Sequence, residues 1–393
     1  MATWTTQTGA FAVVVALLLL LLTIKQLDAP SAGPVSNICV CSDSSGTPVQ
    51  PCPTVPESPP SATKPVASSH ERTSDLVALM PRPVGVDAAS EGTLMWHVLH
   101  KTSLHRGVLL FSIATHQSVE STVNMLLSLH GAGIRANVPL ILCLDIESFQ
   151  YLSGLGGINA FLVGDNVWEE IGWSLQRTDR ELDRFHQITR CKEPIVLFFL
   201  KRALNVFLLD NDLVFVRRKT NGIDAVINLL ITLDSPVVQF ATMMDNPPGK
   251  QFELQYNTGF FLARAGPVVL DIFERIVQRN KAIPITHDVD DQRIFNNYFM
   301  DGKPEDRQCV LELPWYLYMT GKLSSWKHPD ECCQGTALYD GWASNWDIAH
   351  DDDLPFAFHF NMAINGKVSS MKTWRLWPFD NADLWKQAGL KHS

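Results

Sequence analysis

The stretch FLLDNDLVF, residues 207–215, decides how this chain is read. Residues 206–209 are wholly apolar, as expected of a strand covered on both faces. They run straight into Asp210-Asn211-Asp212, and a second apolar run follows over 213–216. Two carboxylates thus fall where a buried strand ends, and open α/β sheets bind their ligands outside that rim. Placing both charges there costs free energy unless a cation or hydrogen-bond donors compensate. A hard divalent ion holding a diphosphate is the natural compensation, because Mg²⁺ or Mn²⁺ takes a few carboxylates plus phosphate oxygens. The bare Asp-x-Asp spacing is cheap and recurs at Asp288/Asp290 and Asp351/Asp353. Only the first pair lies between two apolar runs; a solvated strand-end turn is the plain alternative.

Outward from that stretch the texture is strand, helix, strand. The run VLLFSI at 108–113 predicts a strand, 121–131 a helix, 138–144 a second strand and 159–163 a short third. Residues 193–204 predict an apolar helix whose last turn holds Lys201 and Arg202, suiting a helix C-terminus. Beyond the Asp pair come strands near 237–241 and 256–263. A helix follows over 267–280, with Val269, Ile272, Phe273 and Ile276 on one face. The pattern predicts an α/β domain over 104–385, a mostly parallel sheet flanked by helices. The Trp-rich carboxyl-terminal part predicts loops and short elements; Trp315, Trp326, Trp342 and Trp346 could be sugar platforms or core.

Composition narrows the classes. The chain has 393 residues, 32 Lys plus Arg against 41 Asp plus Glu, and a net charge of −9. Without a basic run it has no electrostatic footprint for nucleic acid. Neither G-x-G-x-x-G nor G-x-x-x-x-G-K-[ST] occurs, which disfavours dinucleotide and ATP or GTP enzymes. Residues 1–25 are expected to form a signal-anchor or transmembrane segment, since 10–22 are unbroken apolar and Lys25 is the first charge. A cleaved signal peptide is the alternative. Residues 26–100, rich in Pro and Ser, predict a disordered stem. Eight cysteines suit an oxidising lumen, with Cys143 and Cys191 equally readable as buried free thiols. No Asn-x-Ser/Thr sequon occurs.

Three further clusters could carry chemistry. His359 stands before Gly366 and Lys367, where an imidazole could complete a metal site and a Gly-Lys pair meet a phosphate. Asp290-Asp291-Gln292 opens a helix-like run and could bind sugar hydroxyls or cap that helix. Tyr256-Asn257-Thr258-Gly259 is a small polar break, either a bulge near a ligand or a turn.

Taken in order, VLLFSIAT, RCKEPIVLFFLKRALNVFLLDNDLVFVR, QYNTGFFLAR, DDQRIFNNYF and FHFNMAINGKVSSMKTWRLW resemble the nucleotide-diphospho-sugar transferases of glycosyltransferase family 77. That family is similar to the retaining GT-A enzymes of family 8. The resemblance implies a GT-A-like, Rossmann-related sheet, with a short anchor and stem similar to the layout of Golgi glycosyltransferases. It implies that Asp210, Asp212 and His359 hold Mn²⁺ or Mg²⁺ on the donor diphosphate, and that Gly366 and Lys367 contact its phosphates. Thr115 would lie beside the base, Lys192 would reach the diphosphate or donor sugar, and Asn257, Asp291 and Gln292 would line the sugar. The catalytic pair would be Asp291 and Gln292.

The expected function is metal-dependent, retaining transfer from a nucleotide-diphospho-sugar, a UDP-sugar first, to a glycan or glycoprotein acceptor. The expected location is the Golgi membrane, single-pass with a lumenal domain. Two alternatives stand beside it. A haloacid-dehalogenase-like phosphatase also places Asp-x-Asp after an apolar strand. A catalytically silent lumenal sugar-binding protein would keep the fold alone.

Overall fold

The computed structural model describes residues 92–174, 181–215, 221–233, 238–245, 256–284, 289–313, 318–319, 356–360, 367–373 and 376–391, all within the unit Ser68–Ser393. The chain opens with helix α1 (Leu94–Lys101), then β1 (Val108–Ala114), α2 (Val119–Gly131), β2 (Leu140–Cys143), α3 (Ile146–Gly154) and β3 (Asn159–Leu162). Helices α4 (Asp165–Ile171), α5 (Glu181–Thr189) and α6 (Lys192–Leu200) lead back to β4 (Asn205–Leu209). The chain continues through β5 (Leu213–Phe215), α7 (Gly222–Leu233), β6 (Phe240–Met244), β7 (Tyr256–Ala263), α8 (Pro267–Ala282) and α9 (Asp291–Asp301). The last elements are α10 (Pro304–Arg307), β8 (Val310–Glu312), β9 (Tyr318–Met319), β10 (Ala357–His359), α11 (Lys367–Thr373) and α12 (Ala382–Gln387).

Seven strands form one sheet in the order β3-β2-β1-β4-β7-β6-β8. Strands β3, β2, β1 and β4 are parallel, β7 runs antiparallel to both β4 and β6, and β8 is parallel to β6. This is the mostly parallel α/β sheet expected. From β1 the chain winds outward through β2 and β3, then returns to place β4 on the other flank of β1. That reversal opens a crevice between the carboxyl ends of β1 and β4. All seven residues of β1 are buried, which explains why the strand reads as continuous apolar sequence.

Helix α6, KEPIVLFFL, is buried along its whole length, as an all-round apolar helix must be. Pro194 falls in its first turn, where a missing N–H costs little. The rings of Phe240, Tyr256, Phe261, Phe273, Phe295 and Phe299 pack edge-on, tilted and, for Phe261 on Phe295, stacked between β6, β7, α8 and α9. Truncating one such ring to Ala costs about 3–5 kcal/mol. This cluster fixes the two strands and the helix that carry much of the site.

Sequence and structure part company in three places. Helix α1 lies inside the segment assigned to the stem; Thr93 caps it, and Leu94, Met95 and Val98 are buried in the main core. Tertiary burial of one face gives those residues their order. The apolar run after Asp212 does not rejoin the main sheet, because β5 enters a separate three-stranded sheet, β5-β10-β9. Helices α3, α4, α5 and α7 were not foreseen. Cys143, Cys191 and Cys309 are buried free thiols. Among the described residues no helix is long and apolar enough to cross a membrane. The anchor, most of the stem, the remaining cysteines and the four named tryptophans lie outside the described residues.

Candidate metal and donor site

Asp210 follows β4, and Asp212 opens the way to β5. Strand β10 pairs antiparallel with β5, setting His359 opposite Leu213, and the Phe360 N–H donates to the Asp212 carbonyl at 3.0 Å. Backbone pairing thus draws the imidazole onto the Asp pair. His359 Nε2 stands 2.9 Å from Asp212 Oδ1 and 3.6 Å from Asp210 Oδ2. One ligand atom from each of Asp210, Asp212 and His359 lies within 4.8 Å of the others. Two carboxylates and an imidazole form a donor set suited to a divalent ion.

Two observations test that fit. Both carboxyl oxygens of Asp212 and both ring nitrogens of His359 are buried and lack a hydrogen bond of proper direction, although ion-pair partners approach. Buried polar atoms left so are costly and call for a partner. Beneath them runs β7 at Gly259, where a Cβ would collide with Asp210 Oδ2 and His359 Cε1. The strand leaves room for the cluster only because this residue has no side chain.

Burial works against every charge here, and the mutual pairing outweighs it. Asp212 is held well below the usual carboxylate range by Lys367 and His359. Asp210 is lowered by Lys192 and His359. Despite burial, Asp212 and Asp210 raise His359 to about 9, so its imidazole carries a proton when no metal competes.

Lys192, the first residue of α6, joins this cluster to a second one. Its ammonium lies 2.8 Å from Asp210 Oδ1 and 3.3 Å from Asp291 Oδ2, with a tenth of its side chain exposed. Burial penalises the ammonium, yet Asp210 and Asp291 hold its pKa above the ordinary lysine value. Asp291 also accepts from Thr258 Oγ1 at 2.8 Å. Its own pKa is raised by burial first, with Lys192 opposing. Next to Lys192, burial raises Glu193 well above the usual range, and its Oε1 has no hydrogen-bond partner.

Helix α9 resolves the Asp290-Asp291-Gln292 triplet. Asp290 caps the helix, accepting from the Arg293 N–H at 2.7 Å, while Asp291 and Gln292 turn into the site. Gln292 Nε2 donates to Asp245 Oδ2 at 2.5 Å, and its Oε1 faces the Thr258 N–H at 3.4 Å. Asn257 Nδ2 donates to Asp245 Oδ1 at 2.7 Å, and Asn257 Oδ1 accepts from the Gly259 N–H at 2.8 Å. The β6–β7 ladder slips here: β6 advances from Thr242 to Met244 while β7 passes from Phe261 to Tyr256. The polar break at 257–259 is therefore an irregular stretch of strand beside the site rather than a turn. Asn296 ties the two elements, accepting from the Tyr256 N–H and donating to Tyr256 O and Gln292 O.

Lys367, at the start of α11, reaches Asp212 Oδ2 at 2.6 Å, and Asp212 raises its pKa. Thr115 ends β1 at the crevice, but its backbone N–H and hydroxyl are engaged by Ser118. Asn211 Nδ2 donates to Ile113 O at 3.3 Å, binding the metal loop to the end of β1. Gly366 lies outside the described residues. Of the named residues, Asp210, Asp212, His359, Lys192, Lys367, Asn257, Asp291 and Gln292 are brought together. Asp245 and Asn296 escaped the sequence reading: a lone acid after VVQFATMM and an amide inside a helix carry no local signal.

The family model described as nucleotide-diphospho-sugar transferase matches residues 137–371. The chain belongs to that family. The transferase is thereby a glycosyltransferase by class. A search of curated proteins finds no match. Among solved structures, it is similar to a glycosyltransferase involved in glycosylation of the major capsid of PBCV-1, at 11% identity and TM-score 0.37, covering 67% of this chain and 99% of that one. It is likewise similar to the galactosyltransferase LgtC in complex with donor and acceptor sugar analogs, at 13% identity and TM-score 0.39, covering 71% and 95%. Mouse xyloside xylosyltransferase 1 matches at 11% identity and TM-score 0.39, covering 65% and 98%. In the transferase, the Asp210-Asp212-His359 cluster is a donor set that can hold a divalent ion.

Proposed function

We propose that the protein is a retaining, metal-dependent glycosyltransferase of family 77. On this reading it moves a sugar from a UDP-sugar to a glycan or glycoprotein acceptor, anchored in the Golgi membrane with its domain in the lumen. The observation that carries the reading is the donor set Asp210, Asp212 and His359 at the crevice of the sheet, flanked by two lysines. Asp210, Asp212 and His359 would hold Mn²⁺ or Mg²⁺, which when bound supplies positive charge at the leaving diphosphate. Lys367 is placed to meet phosphate oxygens, and Lys192 to reach the diphosphate or the sugar.

Breaking the sugar–phosphate bond leaves the electron pair on the phosphate oxygen and gives the sugar oxocarbenium character. Preorganised cations stabilise the first charge. Asp291 and the Gln292 carbonyl oxygen stand on the sugar side, where a carboxylate and an amide dipole stabilise the second. The Gln292 amide is a poor nucleophile, which favours attack by the acceptor hydroxyl from the face the diphosphate leaves. The acceptor oxygen bonds to the anomeric carbon, its proton passes to the departing phosphate oxygen, and configuration is retained.

The test incubates the full chain with Mn²⁺ and a panel of UDP- and GDP-sugars. Donor hydrolysis or transfer lost in Asp212→Ala, with a retained anomer by NMR, is the expected result. An inverted product or a glycosylated Asp291 overturns the retaining mechanism. Turnover of p-nitrophenyl phosphate instead makes the protein a phosphatase. Donor binding without turnover makes it a sugar-binding protein.

A further inference from the structure

Asp245 follows β6 and is buried, and its two oxygens serve two amides, Asn257 Nδ2 at 2.7 Å and Gln292 Nε2 at 2.5 Å. The two ends of a carboxamide are nearly equal in shape, so only their partners decide which faces where. An ionised carboxylate can only accept, so both side chains must present their NH₂ groups to it. Each carbonyl oxygen is then aimed away. Asn257 Oδ1 takes the Gly259 N–H, and Gly259 O in turn accepts from the Asp210 N–H at 2.7 Å. Among the described residues Gln292 Oε1 meets only the 3.4 Å approach of the Thr258 N–H, and so keeps acceptor capacity.

We propose that Asp245 is a positioning residue that fixes which end of the Gln292 amide faces the donor sugar. The inference rests on the transferase reading given above and deepens it. A carbonyl oxygen turned toward a carbon gaining positive charge stabilises the transition state, whereas an NH₂ group turned the same way opposes it.

In Asp245→Asn one oxygen becomes an NH₂ group, and a neighbouring amide must turn over or lose its bond. Turnover in the donor assay should fall about 10–100-fold while donor KM and Mn²⁺ affinity change less than about threefold, the split of an interaction felt mainly in the transition state. Gln292→Glu alone sets two carboxylates against each other. In Asp245→Asn/Gln292→Glu, the new NH₂ meets a carboxylate again. That double variant should exceed the product of the two single effects by about tenfold or more. Independent, multiplying losses with an active wild type overturn the positioning role alone. A loss of melting temperature and Mn²⁺ affinity in parallel with turnover in Asp245→Asn also overturns it, reducing Asp245 to a structural acid. A wild-type chain inactive on every donor overturns the transferase reading and this inference with it.

Discussion

Gly259 and Asp210 are joined through their backbones, the Asp210 N–H donating to Gly259 O at 2.7 Å, and a side chain at 259 would strike the Asp210 carboxylate. The antiparallel neighbour thus sets both the position of the Asp210 carboxylate and the space it occupies. Gly259→Ala must push Asp210 and His359 apart. The expected outcome is a loss of about 1–3 kcal/mol in stability from overpacking. Mn²⁺ affinity should fall by about tenfold or more, since misplaced ligands forfeit binding. Calorimetric titration on a variant with native circular dichroism checks this; wild-type affinity would show that the cluster does not bind the ion.

Lys192 neutralises Asp210 and Asp291 together. Lys192→Met takes this cation from buried Asp291 and from the partly exposed Asp210, which keeps His359 beside it; breaking a buried pair typically costs about 3–5 kcal/mol. Urea denaturation should show the loss, and saturating Mn²⁺ should recover part of it by neutralising Asp210. An unchanged midpoint, with or without metal, would refute the pairing.

Glu193 supplies a pH-dependent prediction. Its folded pKa lies well above the unfolded value because burial disfavours the anion. Stability tied to the protonated carboxyl is complete below the ordinary Glu range and drains away as pH rises toward the folded value. Each unit of that displacement is worth about 1.4 kcal/mol. Glu193→Gln mimics the neutral form, so it should match wild type near pH 4 and surpass it near pH 8. Parallel stability curves for the two proteins across that interval would defeat the prediction.

Asn124 anchors the carboxyl-terminal segment to α2. Its amide donates to Leu376 O at 3.4 Å and to Met371 Sδ at 3.6 Å, and its carbonyl accepts from the Phe379 N–H at 3.1 Å. Met371 sits on the helix that starts with Lys367. Asn124→Leu leaves buried backbone groups unsatisfied, at about 1–3 kcal/mol. It should also raise donor KM more than it lowers kcat, because Lys367 loses its support. A thermal melt combined with donor kinetics decides between that and a purely local defect.

How much of this was legible in the sequence follows from how local each signal is. The strand before Asp210 and the acids after it form one unbroken pattern, and β1, β4, α6 and α8 announce themselves because continuous or one-sided apolar runs have few other uses. His359 and Lys367 stood out as a weak local cluster, and their convergence on Asp212 depends on a pairing between β5 and β10 that no local pattern encodes. Asp245 was invisible because its meaning lies in two amides from other elements. Helix α1 was hidden by its neighbours, since Pro-rich composition ahead of Leu94 masks a short amphipathic turn that only tertiary packing stabilises. Asp291 and Gln292 stood beside a true helix cap, and the sequence cannot say which acid of such a triplet turns inward.

The ladder joining Leu213–Phe215 to Ala357–His359 brings together ligands separated by about 150 residues of chain, among the slowest kinds of contact to form. A growing polypeptide exposes both aspartates long before the imidazole exists to meet them. On the proposed reading, ion capture waits for the tail to dock, and a chain cut short ahead of β10 would fold much of its sheet yet remain unable to load. Tight loading would then certify that synthesis ran on through β10.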